Sequence, residues 1–303
     1  MSPITGILLK LGSVFLFTVM AAILKVTAAT VPAGEQMFFR SLFAIPVILA
    51  WLWARGELAT GLRTTDPMSH VYRGIVGSLA MGTSFAGLGL LPFPEATALG
   101  YAMPLLTVIF AGMFLAEQVR GFRMSMVAIG LVGVLIVLSP RLSMQASSVT
   151  IGETLGAILT LTGATFGALA QIFISRMIQT ERTAAVVFWF SVTATVLSLV
   201  TLPLGWVVPD LSTLALLVTC GIIGGVAQIM LTSAYRYADA SLVAPFDYAS
   251  MLMALAIGWF VFGEGASARM LLGAAVIIAA GVAIIWRERQ LGISRARRAG
   301  TPR

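Results

Sequence analysis

Apolar stretches of roughly twenty residues, separated by short polar or proline-bearing turns, follow one another along almost the whole chain. A helical crossing of a bilayer takes about 20 apolar residues. On that measure the pattern predicts ten spans, at 4–27, 33–53, 71–91, 94–116, 121–139, 151–176, 184–204, 211–235, 240–262 and 267–286. Pro32, Pro67, Pro92, Pro140 and Pro209 fall between these spans, where a missing backbone donor costs least. The alternation that would mark a β-barrel is absent, so helices are left as the way to satisfy every backbone group inside lipid. The first stretch is too long for the apolar core of a secretory signal, lacks a basic start and is followed at once by another span, so it reads as a retained helix.

The pattern also repeats. "PEATALGYAMPLLTVIFAGMFLAEQ" at 94–118 returns as "SLVAPFDYASMLMALAIGWFVFGEG" at 241–265, an offset of 147 residues that superimposes Tyr101 on Tyr248 and Glu117 on Glu264. Five spans per half is an odd number, so the two copies face opposite ways. The predicted fold is all-α: a polytopic membrane protein of ten transmembrane helices in two inverted five-helix repeats. The first repeat covers 1–140, a linker 141–150, the second repeat 151–288 and a basic tail 289–303. Inverted repeats suit secondary transport, because two related halves can form a midplane site reachable from either side in turn.

Composition narrows the classes further. The chain of 303 residues is 59% hydrophobic and 10% charged, with mean hydropathy +0.99, which leaves no room for a soluble catalytic unit. Lys and Arg placement sets an orientation. With the N-terminus inside, Arg55, Arg63, Arg73, Arg120, Arg123, Arg176, Arg182, Arg236 and the arginine-rich tail fall on the cytoplasmic side, against Arg141 and Arg269 in the outer loops. Topology and attraction to anionic lipid account for the net charge of +7, and nucleic acid is given no role. Glycine pairs such as Gly74 and Gly77, Gly130 and Gly133, and Gly221 and Gly224 read as close helix packing, with a path-lining or hinge role as the alternative.

Other chemistry is missing from the pattern. His70 is the single histidine, which excludes a clustered histidine metal site and a Ser-His-Asp arrangement. Cys220 is the single cysteine and reads as a buried small hydrophobe. No Gly-rich loop ending in Gly-Lys-Ser/Thr occurs, so ATP is not the direct energy source and coupling falls to a gradient, exchange or facilitated diffusion. No cofactor or metal is expected, nor an enzyme.

Three passages carry a family resemblance: "TVMAAILKVTAATVPAGEQMFFRSLFAIPV" over the first hairpin, "LLPFPEATALGYAMPLLTVIFAGMFLAEQ" over span four and "DASLVAPFDYASMLMALAIGWFVFGE" over span nine. They resemble the EamA branch of the drug/metabolite transporter superfamily, whose members have ten helices in two inverted repeats. The resemblance implies a path surrounded by spans one, three, four, six, eight and nine, with five and ten supporting from outside. Within the branch, Glu35, Phe38, Phe39 and Arg40 at the start of span two and "APFDY" in span nine look most like bacterial riboflavin importers and related S-adenosylmethionine carriers. One departure is Gly265 and Ala266 after Glu264, where proline is common.

Ionisable groups within spans are costly and need a partner, water or a function. Asp247, whose counterpart in the first repeat is Gly100, is the leading candidate for substrate contact or proton carriage; pairing with Arg236 or Lys25 is its structural alternative. Lys25 suits an anionic solute, a pair with Asp247 or Glu35, or snorkelling to the interface. Glu35 and Arg40 read as pairings across the first hairpin or as substrate or gate contacts, and Glu95 as a cap on span four. Glu117 and Glu264 read as matched closures of span ends. Gln171 and Gln228 are either interhelical ties or donors to a polar, uncharged solute. Tyr101, Tyr248, Trp189 and Phe246 add flat surfaces suited to a heteroaromatic ring, or simply pack.

These readings converge on a carrier of a small organic metabolite in the bacterial cytoplasmic membrane, with riboflavin uptake as the specific expectation. The expected partners are the small-molecule substrate and membrane lipid, with a homodimer left open. Export of amino acids or other metabolites, S-adenosylmethionine transport and a non-transporting membrane scaffold are the alternatives.

Overall fold

A computed structural model of the chain describes residues 3–114, 121–142, 151–177, 180–237 and 244–299. In chain order the helices are α1 (Pro3–Thr27), α2 (Ala33–Ala54), the single turn α3 (Leu58–Gly61), α4 (Pro67–Leu90), α5 (Phe93–Gly100), α6 (Ala102–Phe114), α7 (Gly121–Leu142) and α8 (Ile151–Met177). They continue with α9 (Thr183–Ser198), extended by a 3-10 segment over Leu199–Leu204, then α10 (Leu211–Tyr237), a 3-10 turn over Ala244–Tyr248, α11 (Ala249–Phe262) and α12 (Ala268–Ala299). Among the described residues eight helical stretches are long and apolar enough to cross a membrane, with Phe246–Phe262 as a shorter apolar one. This is an all-α, multi-pass membrane protein.

Local chemistry explains where the spans depart from the sequence expectation. Span three begins at Pro67 rather than 71, because Asp66 caps it by accepting the Ser69 N–H at 3.2 Å and proline suits the first helical turn. Pro140 lies inside the last turn of α7 rather than beyond it. Span four is broken into α5 and α6 at Tyr101: Pro104 has no N–H to give the Gly100 carbonyl, and the Tyr101 N–H turns back to Ala98 at 3.3 Å. Span nine changes from 3-10 to α-helix at Tyr248, the position the repeat equates with Tyr101.

Pairing between elements follows the inverted repeat. Helix α4 lies along α8 as α1 lies along α10, and α9 packs on α4 as α2 packs on α10. The pairs α2 with α9 and α7 with α12 each join an element to its own counterpart, and α5, the first half of span four, packs on α11, the second half of span nine. Lipid offers no hydrophobic drive for helix association, so close backbone packing has to hold these pairs. At the crossing of α7 and α12, a Cβ on Gly133 would lie 2.8 Å from the Gly273 carbonyl, and one on Gly273 2.7 Å from the Gly133 carbonyl. The core formed by α5, α6, α7, α11 and α12 includes Leu99, Leu105, Ile277 and the two tyrosines of the breaks.

Candidate substrate site

Helices α1, α2, α4, α5, α6, α8 and α9 line an open cavity of about 470 Å³. Its wall is mostly apolar and thioether-rich, with Met20, Met81, Met103 and Phe85 among the lining residues. The charged groups in that wall are Arg40 from α2 and Arg73 from α4; no lining residue is acidic. Gln171 of α8 adds an amide.

Both arginines are seated by glycines. The Arg73 guanidinium lies over the Phe190 ring at 3.8 Å, and a Cβ on Gly77, one helical turn further along, would collide with Arg73 Nη1 and come within 2.8 Å of the Phe190 ring. Arg40 is buried, with its side chain beside Gly224 of α10, where a Cβ would sit 3.4 Å from Nε. Arg40 Nε and Arg73 Nε and Nη1 are buried without a hydrogen-bond partner. The two charges are near enough to repel one another. Among the described residues neither takes part in an ion pair.

Ties between the repeats close the bundle at both ends. At the end carrying Thr27, Glu264 after α11 holds Lys25 Nζ at 2.9 Å through Oε1 and accepts the Phe93 N–H at 2.5 Å through Oε2. Lys25 also donates to the Leu91 carbonyl and stands 5.4 Å from the Phe262 ring. Nearby, the buried Glu35 accepts the Val207 N–H at 3.0 Å.

At the opposite end, Glu181 at the start of α9 grips the loop before α4. Its Oε1 accepts the Thr64 hydroxyl at 3.0 Å, the Thr65 N–H and hydroxyl at 2.7 Å each and the Asp66 N–H at 3.0 Å, while Oε2 lies 3.4 Å from His70 Nε2. Burial by itself pushes the Glu181 carboxyl up, but the bonds from Thr65, Asp66 and Thr64 outweigh it and hold the pKa at about 2, down from 4.5. Glu35, in the first turn of α2, and Glu181, just before α9, play equivalent parts: each grips the loop between the second and third spans of the other half.

The sequence candidates are distributed as follows. Gln171 and Arg40 line the cavity. Asp247 does not: its Oδ1 pairs with Lys10 Nζ at 2.7 Å, where Arg236 or Lys25 had been the expected partner. Gln228 is half-buried on α10, outside the lining. Tyr101 and Tyr248 meet edge to face with centroids 5.2 Å apart, and Tyr101 bonds Ser250 at 2.6 Å, so both rings sit in the core. Trp189 donates to the Leu62 carbonyl at 3.1 Å; its neighbour Phe190, about 100° further round the helix, faces the cavity. Glu95 lies in the first turn of α5, but the carboxylate that takes the Phe93 amide belongs to Glu264. Glu117 lies outside the described residues.

Lys10, Arg73, Phe190 and Glu181 were missed as site or closure residues. Lys10 carried a readable signal, a lysine in the midst of an apolar span. The other three depend on the third dimension. The wall also differs from the expectation: spans two and seven join it in place of eight and nine, because α10 is packed along α1 and α2 and α11 along α5. Among the described residues no cluster of three histidine, cysteine or acidic side chains could hold a metal.

A family model for EamA-like transporters matches twice, over residues 4–139 and 154–287. The chain belongs to the EamA-like transporter family. It is 31% identical over 284 residues to a pseudopaline exporter of Pseudomonas aeruginosa, covering 92% of this chain and 95% of the other. It is 30% identical over 258 residues to a riboflavin transporter of Rhizobium johnstonii (85% and 82%), and 28% over 256 residues to an S-adenosylmethionine uptake transporter of Rickettsia bellii (84% of each). A solved crystal structure, 20% identical, shares the fold with a TM-score of 0.67 over 94% of this chain and 98% of its own. The EamA chain described here is therefore a membrane transporter rather than an enzyme.

Proposed function

We propose that this transporter carries a small organic metabolite across the bacterial cytoplasmic membrane by alternating access, with both termini cytoplasmic and the cavity between α4 and α8 as its substrate chamber. The observation that carries the reading is a chamber walled by helices of both repeats beneath ties at both ends. The chamber is off-centre, drawing on spans three and four of the first repeat but not on eight and nine. Exchange of the repeats' conformations moves it to the mirrored place. The offset of 147 residues equates the lining residues Met81 and Gly100 with Gln228 and Asp247. Those two sequence candidates then become wall residues of the opposite state.

The test uses single cysteines at 81 and 228 in a Cys220→Ala background, labelled with an impermeant thiol reagent from each face of sealed vesicles. Position 81 should react from one face and 228 from the other. Reaction of both from the same face, or none at 228 under turnover, would refute alternation. Riboflavin transport is the named activity of relatives from Rhizobium johnstonii and Vibrio cholerae, which makes riboflavin the first named solute to try. Growth of a riboflavin auxotroph on low external vitamin, dependent on this chain, would support uptake of it. No rescue by well-expressed protein would remove the vitamin and leave the carrier standing.

A further inference from the structure

We propose that Arg40 and Arg73 form an oxyanion-binding subsite, so that the transported metabolite is an organic anion whose acidic group sits between the two guanidiniums. The inference rests on the transport reading and adds the substrate's chemistry.

Among the described residues, the two lysines within the spans are neutralised from within. Lys10 has Asp247 at 2.7 Å and Lys25 has Glu264 at 2.9 Å. Arg40 and Arg73 depart from that pattern: both border the cavity, they repel one another, and no acidic side chain shares their wall. Three of their nitrogens are buried with no hydrogen-bond partner. A structural arginine in an apolar setting is normally paired, since an unpaired buried charge is strongly unfavourable. A group that enters with the solute completes this one.

The geometry fits an oxyanion. A guanidinium carries its donors in its own plane. Arg73, laid over Phe190, is therefore covered on a face, and the buried Nε and Nη1 of its edge have no protein partner, which leaves unfilled the fork that recognises planar carboxylates and phosphate oxygens. Gly77 and Gly224 keep the space that both side chains occupy. The rest of the chamber, with Met20, Met81 and Met103, suits an uncharged or weakly polar body, because thioethers adapt to irregular shapes.

The experiment uses full-length protein in liposomes loaded with an equimolar mixture of carboxylic acids, phosphate monoesters, riboflavin and polyamines, with efflux followed by mass spectrometry against protein-free vesicles. Anions should leave fastest, and the relative rates of carboxylates and phosphate esters identify the acid. Arg40→Gln and Arg73→Gln should each slow that efflux by about ten- to a hundredfold, the loss expected for a hydrogen bond to a charged group. Should a glutamine variant fail to give a monodisperse protein, Arg73→Lys, which keeps the charge without the fork, is measured in its place and should still be slowed. Efflux of riboflavin or polyamines in preference to anions, or arginine variants that match wild type, would overturn the subsite and leave transport intact. No solute leaving wild-type vesicles would overturn the transport reading and the subsite with it.

Discussion

Glu181→Gln tests the tie at the end of the bundle away from Thr27. The wild-type carboxylate collects four donors on Oε1, from Thr64, Thr65 and Asp66, and stands 3.4 Å from His70 on the other oxygen. A hydrogen bond to a charged group contributes about 1.5–3 kcal/mol when alone. Four donors sharing one oxygen, in a loop beside water, cannot each deliver that amount. Glutamine keeps an accepting carbonyl but brings an N–H₂ in place of the second oxygen and loses the charge, so we expect a loss of about 2–3 kcal/mol. At roughly 2–4 °C per kcal/mol for a chain of comparable size, the unfolding temperature of purified protein should fall by about 5–10 °C.

The pH dependence carries the sign. Because the folded pKa of about 2 lies below the ordinary 4.5, this carboxylate stabilises the fold fully above pH 4.5, and its contribution disappears as pH falls toward 2. The wild-type-minus-variant difference in unfolding temperature, measured by tryptophan fluorescence from pH 7 to pH 3, should therefore shrink on acidification. A difference that is constant or grows toward pH 3 would refute the assignment of the stabilisation to the ionised Glu181.

Two shorter tests address the other load points. Gly133→Val should push α7 from α12 at the Gly273 carbonyl and cost about 1–3 kcal/mol, read as a lower aggregation temperature, whereas the same change at Gly121, where an added Cβ meets nothing within 4 Å among the described residues, should be near neutral. Glu264→Gln should strand Lys25 without its anion and cost about 3 kcal/mol, and Lys25→Met added to it should recover most of that loss in a double-mutant cycle.

The architecture was legible because bilayer length and backbone satisfaction act on sequence directly. An apolar run of span length has few structures open to it, and the doubled motif around Tyr101 and Tyr248 marks the fold's symmetry down to the breaks in spans four and nine. Local devices were harder to see. The Asp66–Pro67 cap looked like loop because polar residues at a helix start resemble a turn, and α4 was consequently begun too late. The cavity wall was least legible. Periodicity tells which residues share a helix face but not which face turns to a chamber, and one residue's rotation separates Trp189 from Phe190. Arg73, near a predicted span end, passed as a topology signal. Its unpartnered state became visible only when Phe190, Gly77 and the absence of acids in the wall were assembled together.

The repeats are related in backbone but unlike in charge, and that difference bears on turnover. The offset of 147 residues equates Arg73 with Cys220 and Gly100 with Asp247, and the matched starts of α2 and α9 equate Arg40 with Phe190. A chamber rebuilt from the mirrored positions therefore gives up two guanidiniums and gains a carboxylate, which is attached to Lys10 in the present state. An organic anion held by the first wall would meet a far less positive one after the exchange, and only such a differential affinity lets a conformational change drive release. The double change Lys10→Met with Asp247→Asn removes the second wall's charges together, leaving no orphaned ion. Anion efflux through it should show a maximal rate reduced severalfold with little change in half-saturating concentration, whereas Arg73→Gln should chiefly raise the concentration needed. If both variants alter only that concentration, the two walls do the same work and the charge asymmetry has no part in release.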